Sequence, residues 1–371
     1  MPEIDPLVEV RSGAEICNAC RFCDSYCAVF PAMELQRAFS DGDLRYLAYL
    51  CHNCRGCYYA CQEAPEPIDI NLPRSFAELR DESHARFVWP GLFAPLFRRN
   101  GLVVSVTCLV SIMLVFLATL LLPPHPGAIT RAQSGPGAFY QVIPWVLMAS
   151  IAGGSLLFSV FALAVSGVKF WQESGRKGKW IKLTVIMHAM RDIATLQNLG
   201  RGDQNCSDHD KSFSILRRRF HHAMAYGFLF CFLATCTATI YAHFFDQPAP
   251  YPLFSLPVLF GTIGGIGITI GTSGLIWVKI ISDPAPAVAR LMSTDFALLV
   301  LLWLAAMTGL VLLAMRTTAA MGVLLALHLG IILALFLLLP YSKFVHGLYR
   351  SLALLRAAAD RSQLDRKNCS P

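Results

Sequence analysis

The sequence predicts an all-α fold, in which a small helical domain at the N-terminus precedes a bundle of six transmembrane helices. Three observations support this prediction. Hydrophobic residues make up 55% of the 371 residues and charged residues only 15%, a balance typical of membrane proteins. The long apolar runs dominate after residue 100. The first hundred residues are ordinary and polar, and they carry two closely spaced groups of cysteines.

The two cysteine runs have the same spacing. Each reads Cys-x2-Cys-x2-Cys-x3-Cys, with a proline four residues after its last cysteine, at Pro31 and Pro65. In such a run three close cysteines bind one [4Fe–4S] cluster, and the fourth ligates the other cluster. The sequence therefore predicts two clusters with crossed ligation. The first is held by Cys17, Cys20, Cys23 and Cys61, and the second by Cys27, Cys51, Cys54 and Cys57.

Zinc and disulfides fit these runs less well. A structural zinc site usually takes two separated Cys-x2-Cys pairs, whereas each run here holds four cysteines within eleven residues. Disulfides need an oxidising compartment, and residues 1–11 are polar and acidic, without the apolar region of a signal peptide. The remaining cysteines are scattered. Those in apolar runs, Cys108, Cys231 and Cys236, are expected to be small buried hydrophobic residues.

The segment between the two runs predicts a helix. Ser40 and Asp43 have the spacing of a capping box, and apolar residues follow at roughly helical intervals. A helical linker favours the all-helical type of ferredoxin over the β-rich small ferredoxins. The N-terminal domain is therefore expected to be an α-helical, ferredoxin-like domain with two [4Fe–4S] clusters.

Six later segments are long enough to cross a bilayer, which takes about 20 apolar residues. None carries a formal charge in its middle. The predicted spans are residues 101–122, 142–165, 223–242, 257–281, 296–315 and 319–340. The predicted domains are 1–73 for the clusters, 74–100 for a connector that ends in Arg98 and Arg99, 101–350 for the bundle with its loop 166–219, and 351–371 for the tail.

Two segments of the membrane part have further patterns. Residues 180–199 predict an amphipathic helix that covers the cluster domain, lies on the inner membrane surface, or packs on its own protein. The fourth span is rich in glycine, with Gly261-x3-Gly265 and Gly267-x3-Gly271. Such small faces let helices approach closely, which is the favoured interpretation, or let a flat macrocycle approach.

The distribution of basic residues predicts the orientation. Loop 166–219 carries eleven Lys or Arg, the tail 341–371 carries six and the first hundred residues carry ten, whereas each of the three opposite loops carries at most one. By the positive-inside rule, both termini and the cluster domain face the cytoplasm across a bacterial inner membrane. The net charge of +7 mostly reflects this asymmetry, so no nucleic-acid partner is expected.

The histidines near the spans are candidate haem ligands. Ionisable residues at membrane depth are rare and usually functional, and haem b in a bundle takes two axial ligands from facing helices. His346 is expected to pair with His222, or less favourably with His221, near the inner surface. His328 is expected to pair with His243 in the outer half. One or two haems are predicted. The alternative is that these histidines are structural, either buried and hydrogen-bonded to carbonyls or located at the membrane interface.

The chain resembles a known family over nearly its whole length, the tricarballylate (citrate) utilization protein B family. The final stretch also looks like the last helix of the gamma subunit of respiratory nitrate reductase, a di-haem quinol-linked cytochrome b. Two haem-ligand histidines of that helix are eighteen residues apart, as are His328 and His346. The family resemblance rests on the cysteine runs and on residues 218–222 (RRFHH), 226–228 (YGF), 259–265 (LFGTIGG), 328–330 (HLG) and 340–347 (PYSKFVHG).

The resemblance implies a role in electron transfer. Family members reoxidise a separate FAD-dependent flavoprotein, tricarballylate dehydrogenase, and pass electrons through iron–sulfur clusters and haem b to membrane quinone. The chain has neither a Walker A loop nor a Gly-x-Gly-x-x-Gly that opens a βαβ unit, so it is expected to have no dehydrogenase site of its own. A membrane-anchored redox sensor and a tricarboxylate transporter remain alternatives, although the spans lack buried cations and an obvious inverted repeat.

Overall fold

The described part of the chain folds into helices and contains no strand, which confirms the predicted all-α fold. Pro65 and the Arg98–Arg99 pair, which the sequence analysis singled out, lie outside the described residues. The computed structural model describes residues 5–24, 26–62, 70–95, 100–174, 181–199 and 214–368.

Five helices build the described part of the N-terminal domain. They are α1 (Pro6–Cys20), α2 (Val29–Glu34), α3 (Asp41–Leu50), α4 (Gly56–Ala60) and α5 (Leu72–Phe87). Helix α5 packs on α1 and α3. The domain boundary that the sequence places at residue 73 therefore falls inside a helix of this domain.

Helix α3 begins at the predicted capping box. The Ser40 hydroxyl accepts a hydrogen bond from the Asp43 backbone N–H at 3.2 Å, and the Asp43 carboxylate accepts one from the Ser40 N–H at 3.2 Å. These two bonds satisfy backbone donors that the first turn of a helix leaves unpaired. Leu44 and Leu47 follow on the face that is fully buried in the core of the domain. The predicted helical linker is confirmed.

Six long apolar helices form the bundle, and each is long and apolar enough to cross a membrane. The described helices after the N-terminal domain are α6 (Asn100–Leu121), α7 (Trp145–Glu173), α8 (Leu183–Ala194), α9 (Leu216–Phe244), α10 (Leu256–Ile281), α11 (Met292–Met315), α12 (Met321–Leu338) and α13 (His346–Asn368). All except α8 and α13 belong to the bundle. The number and order of the predicted spans are confirmed within the described residues.

Helices α9 and α10 approach each other closely because their contact faces carry glycine. A Cβ on Gly264 would lie 2.7 Å from the Gly227 carbonyl oxygen. A Cβ on Gly227 would lie 2.6 Å from the backbone nitrogen of Ile268. Both distances are too short for real atoms, so only glycine fits at these positions. The glycine-rich span therefore serves helix packing, as favoured from the sequence.

Replacing Gly271 by alanine is expected to destabilise the bundle. The new Cβ would lie 2.4 Å from the backbone nitrogen of Met224 and 2.7 Å from the carbonyl oxygen of Phe220, and the backbone of α9 cannot yield locally. Overpacking of this kind costs about 1–3 kcal/mol. Gly261→Ala is the matched control, because its Cβ meets only the Ala234 Cβ at an ordinary 3.7 Å. Thermal unfolding in detergent should show a lower midpoint for Gly271→Ala alone; equal midpoints would contradict the packing argument.

The N-terminal domain stands directly on the bundle. Four aromatic rings, from Tyr49, Phe87, Phe170 and Tyr349, form one cluster with centroids 5.0–5.6 Å apart. Two of these rings belong to α3 and α5, and the other two belong to the end of α7 and to α13. Glu173, at the end of α7, also pairs at 2.7 Å with Arg45 of the domain. Domain and bundle therefore share one continuous core.

Helix α8, predicted over 180–199, packs with one face on α13. Val185 and Ala189 are buried in a small core that they share with residues of α13. Asp192 forms an ion pair at 3.2 Å with Arg361. The opposite face exposes apolar side chains, among them Leu183, which is 71% exposed. Packing on its own protein is therefore the arrangement observed for the buried face.

Candidate functional site

The two cysteine runs lie at helix ends in the N-terminal domain. Cys17 and Cys20 close α1, and the following Arg21 has a left-handed backbone with a φ of 56°. Asn53 and Arg55 of the second run are also left-handed, with φ of 54° and 65°. L-residues adopt this conformation infrequently, and it turns the chain sharply. The turns lie at the end of α1 and just before α4, so the chain changes direction within each cysteine run.

The first group of thiols combines both runs. Cys61 of the second run and Cys20 lie close enough to Cys17 and Cys23 to influence their ionisation. Burial, followed by these neighbouring thiols, raises the pKa of Cys17 and of Cys23 to about 12. Thiolates are the form that binds metal, and crowding four of them is unfavourable unless a positive charge is shared among them. The donor set fits an iron–sulfur cluster.

The second group mirrors the first. Cys27 of the first run interacts with Cys51 and Cys54, and Cys57 interacts with all three. Burial is the largest cause of a raised pKa at Cys27, Cys54 and Cys57, and the neighbouring thiols add to it. In the described residues, no three His, Cys, Asp or Glu side chains are arranged around a single metal ion. Cys61 thus lies near thiols of the first run and Cys27 near thiols of the second, while Cys57 is also a neighbour of Cys23. Crossed ligation of two clusters stays a prediction.

A cavity of about 240 Å³ lies between the N-terminal domain and the bundle. Four histidines from four separate segments contribute to its wall. His52 belongs to the second cysteine run, His84 to α5 and His221 to the first turns of α9, while His346 begins α13. The cavity therefore joins the loop that carries the second cysteine run to the adjacent end of the bundle.

Two of these histidines are held in a defined tautomer. The Nδ1 atom of His52 lies 2.8 Å from the carbonyl oxygen of Leu50, and Nδ1 of His346 is hydrogen-bonded to the carbonyl oxygen of Lys343. A carbonyl can only accept, so each Nδ1 donates its proton and leaves Nε2 with a lone pair. Burial, followed by the charge of Arg350, lowers the pKa of both rings and keeps them neutral. Metal-binding histidines are commonly oriented in this way.

Charged side chains line the same cavity. Asp295 forms ion pairs with Lys279 and Lys343, which joins α10, α11 and the segment before α13. Arg217 donates to the carbonyl oxygen of Asn53 at 2.6 Å, so the start of α9 is tied to the second cysteine run. These contacts hold the wall of the cavity together across the boundary between domain and bundle.

The four histidines predicted to bind haem lie in different surroundings, and they do not all line the cavity. Only His346 of the four lines the cavity. The predicted partner, His222, lies beside the ring of Tyr226 with a centroid distance of 5.8 Å, and its neighbour His221 faces the cavity in its place. A helix turns by about 100° per residue and sends adjacent side chains in different directions, which accounts for this difference. Haem ligation by His222 stays a prediction.

The two histidines predicted to bind a haem in the outer half, His243 and His328, contact different residues. The ring of His243 lies 5.4 Å from the ring of Trp145. His328 is packed against Gly309, and its Nδ1 lies 3.0 Å from the Thr308 hydroxyl. Neither histidine belongs to the wall of the cavity described above. Haem ligation by His243 and His328 stays a prediction.

The periodicity of α9 could have identified His221. Arg217, His221, Met224 and Phe228 follow one another at intervals of four, three and four residues, so they share one face of the helix. Met224 and Phe228 pack against the core of the bundle. Because His221 shares a helix face with these core residues, the sequence pattern predicts that its side chain faces the interior of the protein. His52 and His84 offered no such signal, because they lie outside the spans to which the membrane-depth argument applied.

Comparison with known proteins gives a consistent result. The profile described as citrate utilization protein B matches residues 95–367, and the profile described as the Fer4-like domain of citrate utilization protein B matches residues 10–86. The citrate utilization protein B of Escherichia coli is 40% identical to this chain over 365 residues, which cover 96% of this chain and 93% of that protein. No solved structure gives a significant match.

Proposed function

Because this chain belongs to the citrate utilization protein B family, we propose that it transfers electrons from a partner flavoprotein to membrane quinone. The partner is an FAD-dependent tricarballylate dehydrogenase, as the resemblance implies. One observation supports this proposal most: the domain that carries both cysteine runs is packed directly on a bundle of long apolar helices, with a histidine-lined cavity between them. Such an arrangement connects a redox domain to the membrane.

The chain's own residues hold the redox groups in this proposal. The eight cysteines of the two runs bind two [4Fe–4S] clusters, and histidines at the membrane part bind haem b. Both kinds of group accept and release single electrons, whereas a reduced flavin and a quinone each exchange two. The protein positions these groups between the two partners, and the dehydrogenase carries out the chemistry on the organic acid.

The face for the flavoprotein lies at the first thiol group. Cys20 is exposed, and the neighbouring Phe22 is 53% exposed, whereas Cys51 of the second group is buried. Aromatic residues are enriched at protein interfaces, which makes an exposed Phe22 a suitable contact for a partner. In our proposal this face points to the cytoplasm, because the basic residues favour both termini on that side of a bacterial inner membrane.

Vesicles of opposite orientation test the proposal. Inverted membrane vesicles that contain the chain, supplied with the dehydrogenase and tricarballylate, should reduce a quinone analogue, whereas right-side-out vesicles should not. Vesicles prepared without the chain are the matched control. Reduction confined to right-side-out vesicles would contradict the orientation. An absence of reduction in both preparations, together with uptake of labelled tricarballylate, would contradict electron transfer and favour a transporter.

A further inference from the structure

The bundle contacts the second cysteine run at two places. Arg217, at the start of α9, donates to the carbonyl oxygen of Asn53 at 2.6 Å. In the connection between α10 and α11, the Asp283 carboxylate accepts from the Tyr59 hydroxyl at 2.6 Å, and its backbone carbonyl accepts from Arg55 at 2.9 Å. The charges of Arg55 and Asp283 offset each other there. Arg217, in contrast, forms no ion pair with a carboxylate among the described residues.

A second guanidinium, that of Arg80 in α5, reaches the same run. It donates to the carbonyl oxygens of Ala48 at 2.7 Å and Cys51 at 3.4 Å, and no carboxylate in the described part of the chain pairs with it. Arg80 and Arg217 line the cavity together with Arg350, whose Nε is buried without a hydrogen-bond partner among the described residues. A guanidinium keeps its proton, so cations removed from water call for an anion nearby.

The thiols of the second run supply that anion when they hold a cluster. A [4Fe–4S] cluster with four thiolate ligands carries net negative charge, and its reduction adds one electron. The charge of Arg217 reaches the Cys54 thiol, and that of Arg350 reaches the Cys51 thiol. Positive charge close to a cluster stabilises its reduced form, and the effect is largest where water is excluded. Burial alone would lower the midpoint potential, so these cations act against the effect of burial.

The first thiol group has different charges around it. Arg21 lies within the first run, and its side chain is exposed. Asp24 lies close enough to Cys23 to interact with its thiol, and Glu34 interacts with both Asp24 and Arg21. One cation thus stands beside two acids, and water and salt screen exposed charges. The local charges therefore give the reduced form of a cluster less support here than at the second run.

We propose that Arg217 and Arg80 raise the midpoint potential of the second cluster above that of the first, so that electrons entering at the first thiol group move towards the bundle. The inference rests on the proposed electron-transfer function and specifies how this chain directs the flow. Because Arg217 belongs to α9, the potential of the second cluster depends on the contact between the N-terminal domain and the bundle.

Redox titration of the full-length, detergent-purified protein, followed by electron paramagnetic resonance, tests the assignment. Cys20→Ser and Cys54→Ser identify the signals, because each removes a cysteine from the middle of one run. The second cluster of the unsubstituted protein should have the higher potential. Arg217→Gln should lower that potential and leave the first unchanged. The ratio of electrons on the second cluster to electrons on the first should fall about tenfold, which is about 59 mV for one electron.

Arg218→Gln is the matched control. Arg218 is the next residue of α9 and also donates to a backbone carbonyl, that of Thr195 at 2.7 Å, but it does not line the cavity. Both potentials should stay unchanged in this variant. Arg217→Lys keeps the charge and should stay close to the unsubstituted potentials. A role through the hydrogen bond alone would instead shift Arg217→Lys as far as Arg217→Gln and would overturn the inference.

Non-haem iron and acid-labile sulfide are measured in every variant to show that both clusters are present. Arg80→Gln should also lower the second potential, and it decides the matter if Arg217→Gln loses the second cluster. A higher potential at the first cluster of the unsubstituted protein would overturn this inference, as would unchanged potentials in both Gln variants or loss of the second cluster from both. An equal shift in Arg218→Gln would do the same. An unsubstituted protein without non-haem iron would instead overturn the cluster part of the proposed function.

Discussion

Replacing Cys61 by serine is expected to remove the cluster of the first cysteine run and to leave the cluster of the second run in place. The reason is the grouping of the thiols, in which Cys61 interacts with Cys17 and Cys23 although it follows Cys57 by only four residues. A serine oxygen is a poor substitute for a thiolate as a ligand to these clusters. The non-haem iron content should fall from about eight atoms per chain to about four.

The reciprocal variant makes this prediction specific. Cys27→Ser should remove the second cluster and leave the first, because Cys27 groups with Cys51 and Cys54. Electron paramagnetic resonance of the reduced protein would show which of two distinct signals is lost in each variant. Cys108→Ser is the matched control, since Cys108 lies in α6, far along the chain from both runs, and it should leave the iron content unchanged. Loss of the second cluster from Cys61→Ser, or about four non-haem iron atoms in the unsubstituted protein, would contradict crossed ligation.

Much of the fold follows from local signals in the sequence. Hydropathy alone located six helices, and the capping box at Ser40 located the start of α3, because both signals depend on residues adjacent in the chain. Helix ends were less predictable. Helix α9 begins at Leu216, seven residues before the predicted span, because a helix continues beyond the apolar core with basic side chains such as Arg217 at its end.

The candidate site depends on contacts that no local pattern contains. The thiol groups were predictable from spacing, since a cluster imposes its geometry on the cysteines. The cavity is different, because its wall brings together the second cysteine run, α5, α9 and α13. His52 and His84 are ordinary residues of a polar domain until the domain packs on the bundle. Arg350 is likewise one of several basic residues in the sequence, and only tertiary packing leaves its Nε buried without a hydrogen-bond partner among the described residues.

The same packing makes Arg356 of α13 the residue whose loss should most weaken the attachment of the domain. Its guanidinium pairs with Asp43 of α3 at 2.6 Å, donates to the carbonyl oxygen of Ser174 after α7, and lies 3.9 Å from the centre of the Tyr46 ring. The side chain is only 7% exposed. Breaking a buried ion pair by removing one partner costs about 3–5 kcal/mol, because the other charge stays buried. Arg356→Ala should therefore lower the thermal midpoint strongly.

Arg74→Ala provides the scale for that effect, because Arg74 pairs with Glu78 one helical turn away and its side chain is 53% exposed. Exposed pairs of this kind contribute about 0.3–0.5 kcal/mol, so the control should unfold almost as the unsubstituted protein does.

The thermal midpoint of Arg356→Lys should fall between those of Arg356→Ala and Arg74→Ala, since lysine keeps the charge but loses the planar fork that reaches several acceptors at once. Limited proteolysis at moderate temperature should release the N-terminal domain from Arg356→Ala first. Equal unfolding of Arg356→Ala and Arg74→Ala would mean that the aromatic cluster around Tyr349 alone holds the domain on the bundle.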